Sequence, residues 1–150
     1  MELQTIKAKL LAKCIEQQAE VIVQLQQEII DAQKQANDYG QPKDRYDAFR
    51  TKLMRQIELF AGQLDKAKIV INTLQKIDID KNIIEVEFGA IVITNKQKLF
   101  VSEGLGKVEI DGVVYYAVSP HVPIFNALKG KKQGDMVIFN GMELTIEEVF

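Results

Sequence analysis

A sustained three-and-four spacing of apolar residues, interrupted once by a turn sequence, constrains this chain more than any other feature. Apolar or small residues stand at Ala8, Leu11, Ile15, Ile22, Leu25, Ile29, Ala32 and Ala36, with Gln18 in the same series. The rhythm resumes at Tyr46, Phe49, Leu53, Phe60, Ala67, Val70, Leu74 and Ile77, with Gln56 and Gln63 in step. Alternating steps of three and four keep one stripe of a helix turned toward a partner helix, the coiled-coil pattern. Between the two series lies Ala36 to Asp47. Within it Gly40 suits a left-handed helix end and Pro42 the first position of a new helix. Folding the chain back here sets Ala36 opposite Tyr46, Ala32 opposite Phe49, Ile29 opposite Leu53 and Ile15 opposite Ala67. Small residues then face large ones, which lets the layers interdigitate. Gln18 falls opposite Gln63, and two facing amides can satisfy each other. The expectation is an intramolecular antiparallel hairpin with helices from about Glu2 to Asn37 and Pro42 to Lys76. At 1.5 Å per residue each helix is on the order of 50 Å long.

The pattern changes after Ile77. Residues 77–82, Ile-Asp-Ile-Asp-Lys-Asn, read as a linker, and beyond them the period becomes two. Ile84, Val86, Phe88 and Ala90 to Ile93 predict a strand kinked at Gly89. Leu99 to Val101 predicts a second. Val108 to Ile110, Asp111-Gly112 and Val113 to Val118 predict a hairpin, as do Met136 to Phe139, Asn140-Gly141 and Glu143 to Phe150. Pro123 to Leu128 predicts a short helix closed by Lys129 and Gly130. The organisation expected is a hairpin over residues 1–77, with its tip at 37–46, and an α+β unit over 78–150. That second unit is read as a small antiparallel sheet with one short helix.

Composition excludes several function classes. Nineteen basic residues against twenty-one acidic leave a net charge of −2, so no strong field draws the chain to nucleic acid or a membrane surface. Independent DNA binding is not expected. One Cys and one His rule out the usual zinc sites and an internal disulfide. Cys14, flanking Ile15, reads as an ordinary helix side chain. No stretch has the length of a membrane span or the core of a signal peptide, so the cytoplasm is the expected compartment. No nucleophile–base set or phosphate-binding glycine loop is present.

Three stretches carry a resemblance. Residues 127–135, Ala-Leu-Lys-Gly-Lys-Lys-Gln-Gly-Asp, are similar to Ala-Leu-Leu-Gly-Lys-Lys-x-Gly-Asp of the bacterial GreA/GreB transcript-cleavage factors. Val118-Ser119-Pro120 lies upstream at the family's spacing. Residues 40–45, Gly-Gln-Pro-Lys-Asp-Arg, stand where that family has Gly-Asp-Leu-Lys-Glu-Asn at its hairpin tip. The resemblance covers essentially the whole chain and implies an FKBP-like fold for the C-terminal unit. It further implies a transcription elongation factor rather than an enzyme, with RNA polymerase and the nascent RNA 3′ end as partners. The hairpin would enter the polymerase's secondary channel and act on paused or backtracked complexes. No cofactor of its own is implied. The Mg²⁺ involved belongs to the polymerase active centre, where tip carboxylates help to hold it, because that ion takes hard oxygen ligands.

The tip departs from the family pattern, with Gln41 where the family has Asp and Asp44 where it has Glu. The tip acids singled out are Asp44, Asp47 and Asp38, with Asp44 the metal-directed one. A plain first-turn acid, stabilised by the helix N-terminus, is the competing reading of Asp44. Lys43, Arg45 and Arg50 are candidate RNA-proximal cations, against the reading that they are flanking charges of the hairpin. Val122, Ile124 and Phe125 are a candidate polymerase-docking patch if exposed and core if not. A channel-binding regulator that does not cleave is the close alternative. A prolyl isomerase and a chaperone-type scaffold are the more distant ones.

Overall fold

The computed structural model describes residues 2–41 and 47–150. Helix α1 spans Glu2–Tyr39, and α2 spans Ala48–Gln75. At 38 and 28 residues, they are about 57 and 42 Å long. The second helix, expected to open at about Pro42, is described from Ala48 onward. Asp47 is non-helical and precedes the first turn of α2, and residues 42–46 lie outside the described ones. The chain divides into two compact units, one of residues 16–72 and the other of the residues up to Ile15 together with 73–150.

In the 16–72 unit the two helices run antiparallel. Gln18 Nε2 donates to the Ala67 carbonyl at 3.2 Å. At the other end the rings of Tyr39 and Phe49 lie 4.7 Å apart. Leu25, Ala32 and Ala36 of α1 and Leu53 and Ala67 of α2 are buried, as the three-and-four spacing requires. The register differs from the expected one. Gln63 is exposed, and Gln18 instead reaches a backbone carbonyl one turn further along α2. A helical carbonyl has a second lone pair to spare, so this bond satisfies the glutamine without needing a second buried amide. Phe49, placed in the seam by its spacing, is 50% exposed because its ring turns onto Tyr39.

The other unit holds the bases of both helices and a sheet. Leu10, Cys14 and Leu74 are wholly buried and Ile77 nearly so. Cys14 is therefore a core residue rather than a flanking one. Burial pushes its thiol up to about 11. The strands are β1 Ile91–Thr94, β2 Lys98–Val101, β3 Gly106–Ile110, β4 Val113–Val118, β5 Met136–Phe139 and β6 Met142–Val149. Helix α3 spans Pro123–Leu128. The strand order is β3-β4-β2-β1-β6-β5.

All pairs are antiparallel except β2 with β4, which are parallel, so the sheet is mixed rather than antiparallel throughout. The cause is topological. After β2 the chain skips a position, lays down β3 at the edge, and returns between the two as β4. Both tight hairpin turns have positive φ at two successive residues, Asp111 and Gly112 in one and Asn140 and Gly141 in the other. That is the geometry whose twist matches paired strands, and Asp-Gly and Asn-Gly favour it.

Residues 84–88 alternate like a strand but join no ladder. Their link is an isolated bridge between Glu85 and Lys132, and Gly89 at φ +90° turns the chain into β1. Val86, Val92, Leu99, Val101, Leu128 and Ile146 form the core beneath α3.

Candidate functional site

The tip is built from the ends of the two helices. Helix α1 stops at Gly40, whose φ of +89° carries it out of the helix while its N–H still bonds the Ala36 carbonyl at 3.2 Å. A left-handed residue at this position is the common way to close a helix, and glycine adopts it without a Cβ clash. Helix α2 opens on Asp47. Its carbonyl accepts the Thr51 N–H at 3.1 Å, and its Oδ1 accepts the Arg50 N–H at 3.3 Å. These are the two bonds of an N-cap residue. Arg50 in turn donates from Nη1 to the Gly40 carbonyl at 3.1 Å, stitching the start of α2 to the end of α1.

The expected site residues sort differently on this frame. Asp47 is held in the cap, so one carboxylate oxygen serves the helix. Arg50 is half-buried and serves the closure of the tip. Asp38 is exposed in the last turn of α1, where no basic residue accompanies it. A negative charge there opposes the helix dipole. Gln41 is exposed. Lys43, Asp44 and Arg45 lie outside the described residues. Among the described residues no group of three or more His, Cys, Asp or Glu could hold a metal ion.

The second candidate patch behaves as core. Phe125 is buried, and Val122 and Ile124 are half-buried against the cluster beneath α3. As a docking surface Phe125 is thus corrected: α3 has one apolar face, and its central aromatic fills the sheet side. The Gly-Lys-Lys-Gln-Gly-Asp stretch is a structural turn. Asp135 Oδ2 accepts the Lys132 N–H at 2.8 Å, and the Asp135 N–H returns to the Lys132 carbonyl at 3.0 Å. Gly130 and Gly134 both have positive φ, and the Gly134 N–H bonds the Ile146 carbonyl at 2.7 Å. Ser119 Oγ accepts the His121 N–H at 3.1 Å in a similar local turn. The residues that carry the C-terminal resemblance thus shape the entry to α3 and β5.

Lys7 falls outside the three-and-four series and is nevertheless buried. It is 1% exposed, and no protein acceptor lies within hydrogen-bonding distance of its Nζ. Burial lowers its pKa, while Asp78 and Glu87 act in the opposite direction. Nothing in the periodicity could have found it, since a lysine beside Ala8 reads as a flanking charge.

No family model matches the chain. No curated protein matches it. Two solved structures align over most of its length. One is the GreA factor homolog 1 (Gfh1) protein of Thermus thermophilus, at 14% identity and a TM-score of 0.34, covering 91% of this chain and 94% of that one. The other is described as the transcription factor Gfh1, also at 14% identity and a TM-score of 0.34, covering 90% and 92%. These likenesses assign no residue and no activity to the chain. Among the described residues no helix is long and apolar enough to cross a membrane.

Proposed function

We propose that this chain is a Gre-like transcription elongation factor that binds RNA polymerase through the secondary channel and acts on paused or backtracked complexes. The observation that carries the reading is the antiparallel hairpin, closed by a Gly40 helix end and an Asp47 cap, at the position where the sequence resembles the Gre tip. A stiff pair of helices suits a factor that must place a few polar groups in a distant active centre, because misplacement by about 1 Å can cost on the order of 100-fold in rate. The factor would be no enzyme by itself. It would lend groups to the polymerase's own reaction.

Within that reading, the tip favours regulation without cleavage. Gln41 brings no charge, and Asp47 has one oxygen engaged by the Arg50 N–H. Asp44 and Asp38 remain as acids for the metal-directed role, with Lys43 and Arg45 as cations for the RNA. On the isomerase reading, aromatic side chains must line an open pocket. Phe100, Tyr115 and Phe125 are buried in the sheet unit instead, which counts against it.

The test is a purified, backtracked elongation complex with and without the protein. Binding that competes with a known secondary-channel factor, with no shortening of the RNA 3′ end, is the expected result. Shortening that disappears in Asp44→Asn would establish cleavage instead. Failure to bind polymerase at all would remove both versions.

A further inference from the structure

The sheet has two outer strands, β3 at one end of the order and β5 at the other, and they present different surfaces. Strand β3 shows charge, with Lys107 and Glu109 both exposed. Charged side chains on an edge guard against pairing with another chain. Strand β5 reads Met136-Val137-Ile138-Phe139, with no charge and no proline. Val137 packs against the cluster beneath α3, so its neighbours Met136 and Ile138 point to the opposite face of the sheet. There they are 56% and 67% exposed.

The backbone of β5 is as open as its side chains. Asn140 and Gly141, both at positive φ, close a two-residue hairpin turn. In such a turn the flanking pair, Phe139 with Met142, exchanges both of its backbone hydrogen bonds. Bonded pairs alternate with non-bonded ones along an antiparallel ladder, so Val137 with Leu144 is the next bonded pair. The N–H and C=O groups of Met136 and Ile138 therefore point away from β6, toward the free edge. Two apolar side chains and four polar backbone groups share this one margin.

We propose that β5 pairs antiparallel with β5 of a second copy of this chain, about a twofold axis at Val137, joining two sheets into one. With the axis there, Met136 of each copy lies opposite Ile138 of the other. Those are the residues whose N–H and C=O groups face the edge, so the two pairs exchange four backbone hydrogen bonds. The same pairs bring four apolar side chains together, since directly opposite residues have Cβ atoms about 4.5–5.5 Å apart. Moving the axis to Ile138 sets Met136 against Asn140 and loses half of this match. Pairing β5 with β3 instead places Met136 and Ile138 beside Lys107 and Glu109, and it is head-to-tail, which does not close on itself. The edges of this chain thus fit a closed twofold pair of β5 strands best. A strand of 4 residues is a small interface. It falls short of the ~1,200 Å² of a stable complex, so the dimer is a weak one. The inference is independent of the polymerase reading, because none of these residues belongs to the tip.

Sedimentation equilibrium of the full-length chain alone, from about 20 µM to about 1 mM, is expected to show a dimer with a dissociation constant on the order of 100 µM. Over the same range, solvent exchange of the Met136 and Ile138 amide protons, followed by NMR, is expected to slow about fourfold as the free edge is covered. The Lys107 and Glu109 amides of β3 are expected to exchange at an unchanged rate. Ile138→Lys sets each new amine opposite Met136 of the other copy and is expected to weaken the dimer about tenfold or more. Leu59→Lys, at an exposed position of α2, is expected to leave it unchanged. The proposal is overturned if the chain stays monomeric at the highest concentration, which leaves the edge to a strand of some other protein. It is also overturned if the Lys107 and Glu109 amides slow instead, which indicates the β3 edge. A dimer dispersed by Leu59→Lys but not by Ile138→Lys has the same force, since it indicates association through the helical hairpin. Should Ile138→Lys fail to fold, the exchange of the Met136 and Ile138 amides in the native chain decides alone.

Discussion

Replacing Asp47 separates a structural carboxylate from a chemical one. In the structure its Oδ1 accepts the Arg50 N–H at 3.3 Å, and Arg50 then holds the Gly40 carbonyl at 3.1 Å. Asp47→Ala removes the cap. N-cap substitutions by alanine cost about 0.5–2 kcal/mol. The donor distance is at the long end for an N–H···O bond, so the lower half of that range, about 0.5–1 kcal/mol, is the expected loss. For a chain of this size that lowers the unfolding midpoint by about 1–4 °C. Asp47→Asn keeps an oxygen in the same place and caps nearly as well. Its stability should fall within about 0.5 kcal/mol of the parent, the difference being the lost charge–dipole attraction. Urea unfolding followed by circular dichroism measures both variants. The same proteins then go into the backtracked-complex assay. On the cap reading, function tracks stability, so Asp47→Asn behaves as the parent. If Asp47→Asn is as stable as the parent but inactive, the carboxylate charge is chemical and the cap argument is wrong. An alanine variant with undiminished stability would refute it from the other side.

Other perturbations test the interior. Lys7→Met should raise stability at neutral pH by about 1 kcal/mol or more, since it removes a buried donor without an acceptor. The sign of its pH dependence follows from the lowered pKa. Between the folded value and the ordinary 10.5, the unfolded chain binds more protons, so parental stability rises with pH and the advantage of Lys7→Met shrinks across that window. Urea unfolding at several alkaline pH values checks this. Cys14, with its thiol pushed from 9.0 to about 11, should react with a thiol reagent at pH 8 about 100-fold more slowly than in the unfolded chain, before steric protection is counted. Gln18→Leu loses one bond to a carbonyl and should leave stability within about 1 kcal/mol of the parent, measured by the same unfolding. Its clearer effect should be a looser register, read as self-association in sedimentation experiments.

How far the sequence revealed this architecture depends on the range of the interactions involved. Local chemistry was legible. Asp111-Gly112 and Asn140-Gly141 each form the turn their residues favour, and Pro123–Leu128 is the helix its ends predict. Strand order was not, because nothing in β2 or β4 alone encodes that they pair in parallel. The period-two run at 84–88 misled for the same reason: alternation records which side is buried, and here burial comes without a ladder. The tip was half legible. Gly40 announced its role, while Asp47 was read as an acid for chemistry and its hydrogen bond from the Arg50 N–H appears only in the fold.

The base of α1 shows why a periodic pattern can be right and still misplace its residues. From Gln18 outward the buried positions follow the heptad, at Leu25, Ala32 and Ala36. Toward the N-terminus, burial passes to Cys14, Leu10 and Lys7 instead of Ile15, Leu11 and Ala8, which are half-buried. From Leu25 to Cys14 the chain takes an eleven-residue step, closer to the natural helical repeat than seven is. Lys7 apart, both series are apolar in this stretch, so the sequence is degenerate. The degeneracy is resolved where α1 leaves the unit it shares with α2 alone and joins the one that contains the sheet, at Ile15. Lys7 is the consequence: the same one-residue shift that buries Leu10 and Cys14 buries a lysine as well. Testing the seam with Leu10→Ala should destabilise the chain by about 2–5 kcal/mol, the range for truncating a fully buried leucine. The equivalent change at Leu11, half-buried, should cost clearly less. Equal losses at the two positions in urea unfolding would show that the seam had not rotated.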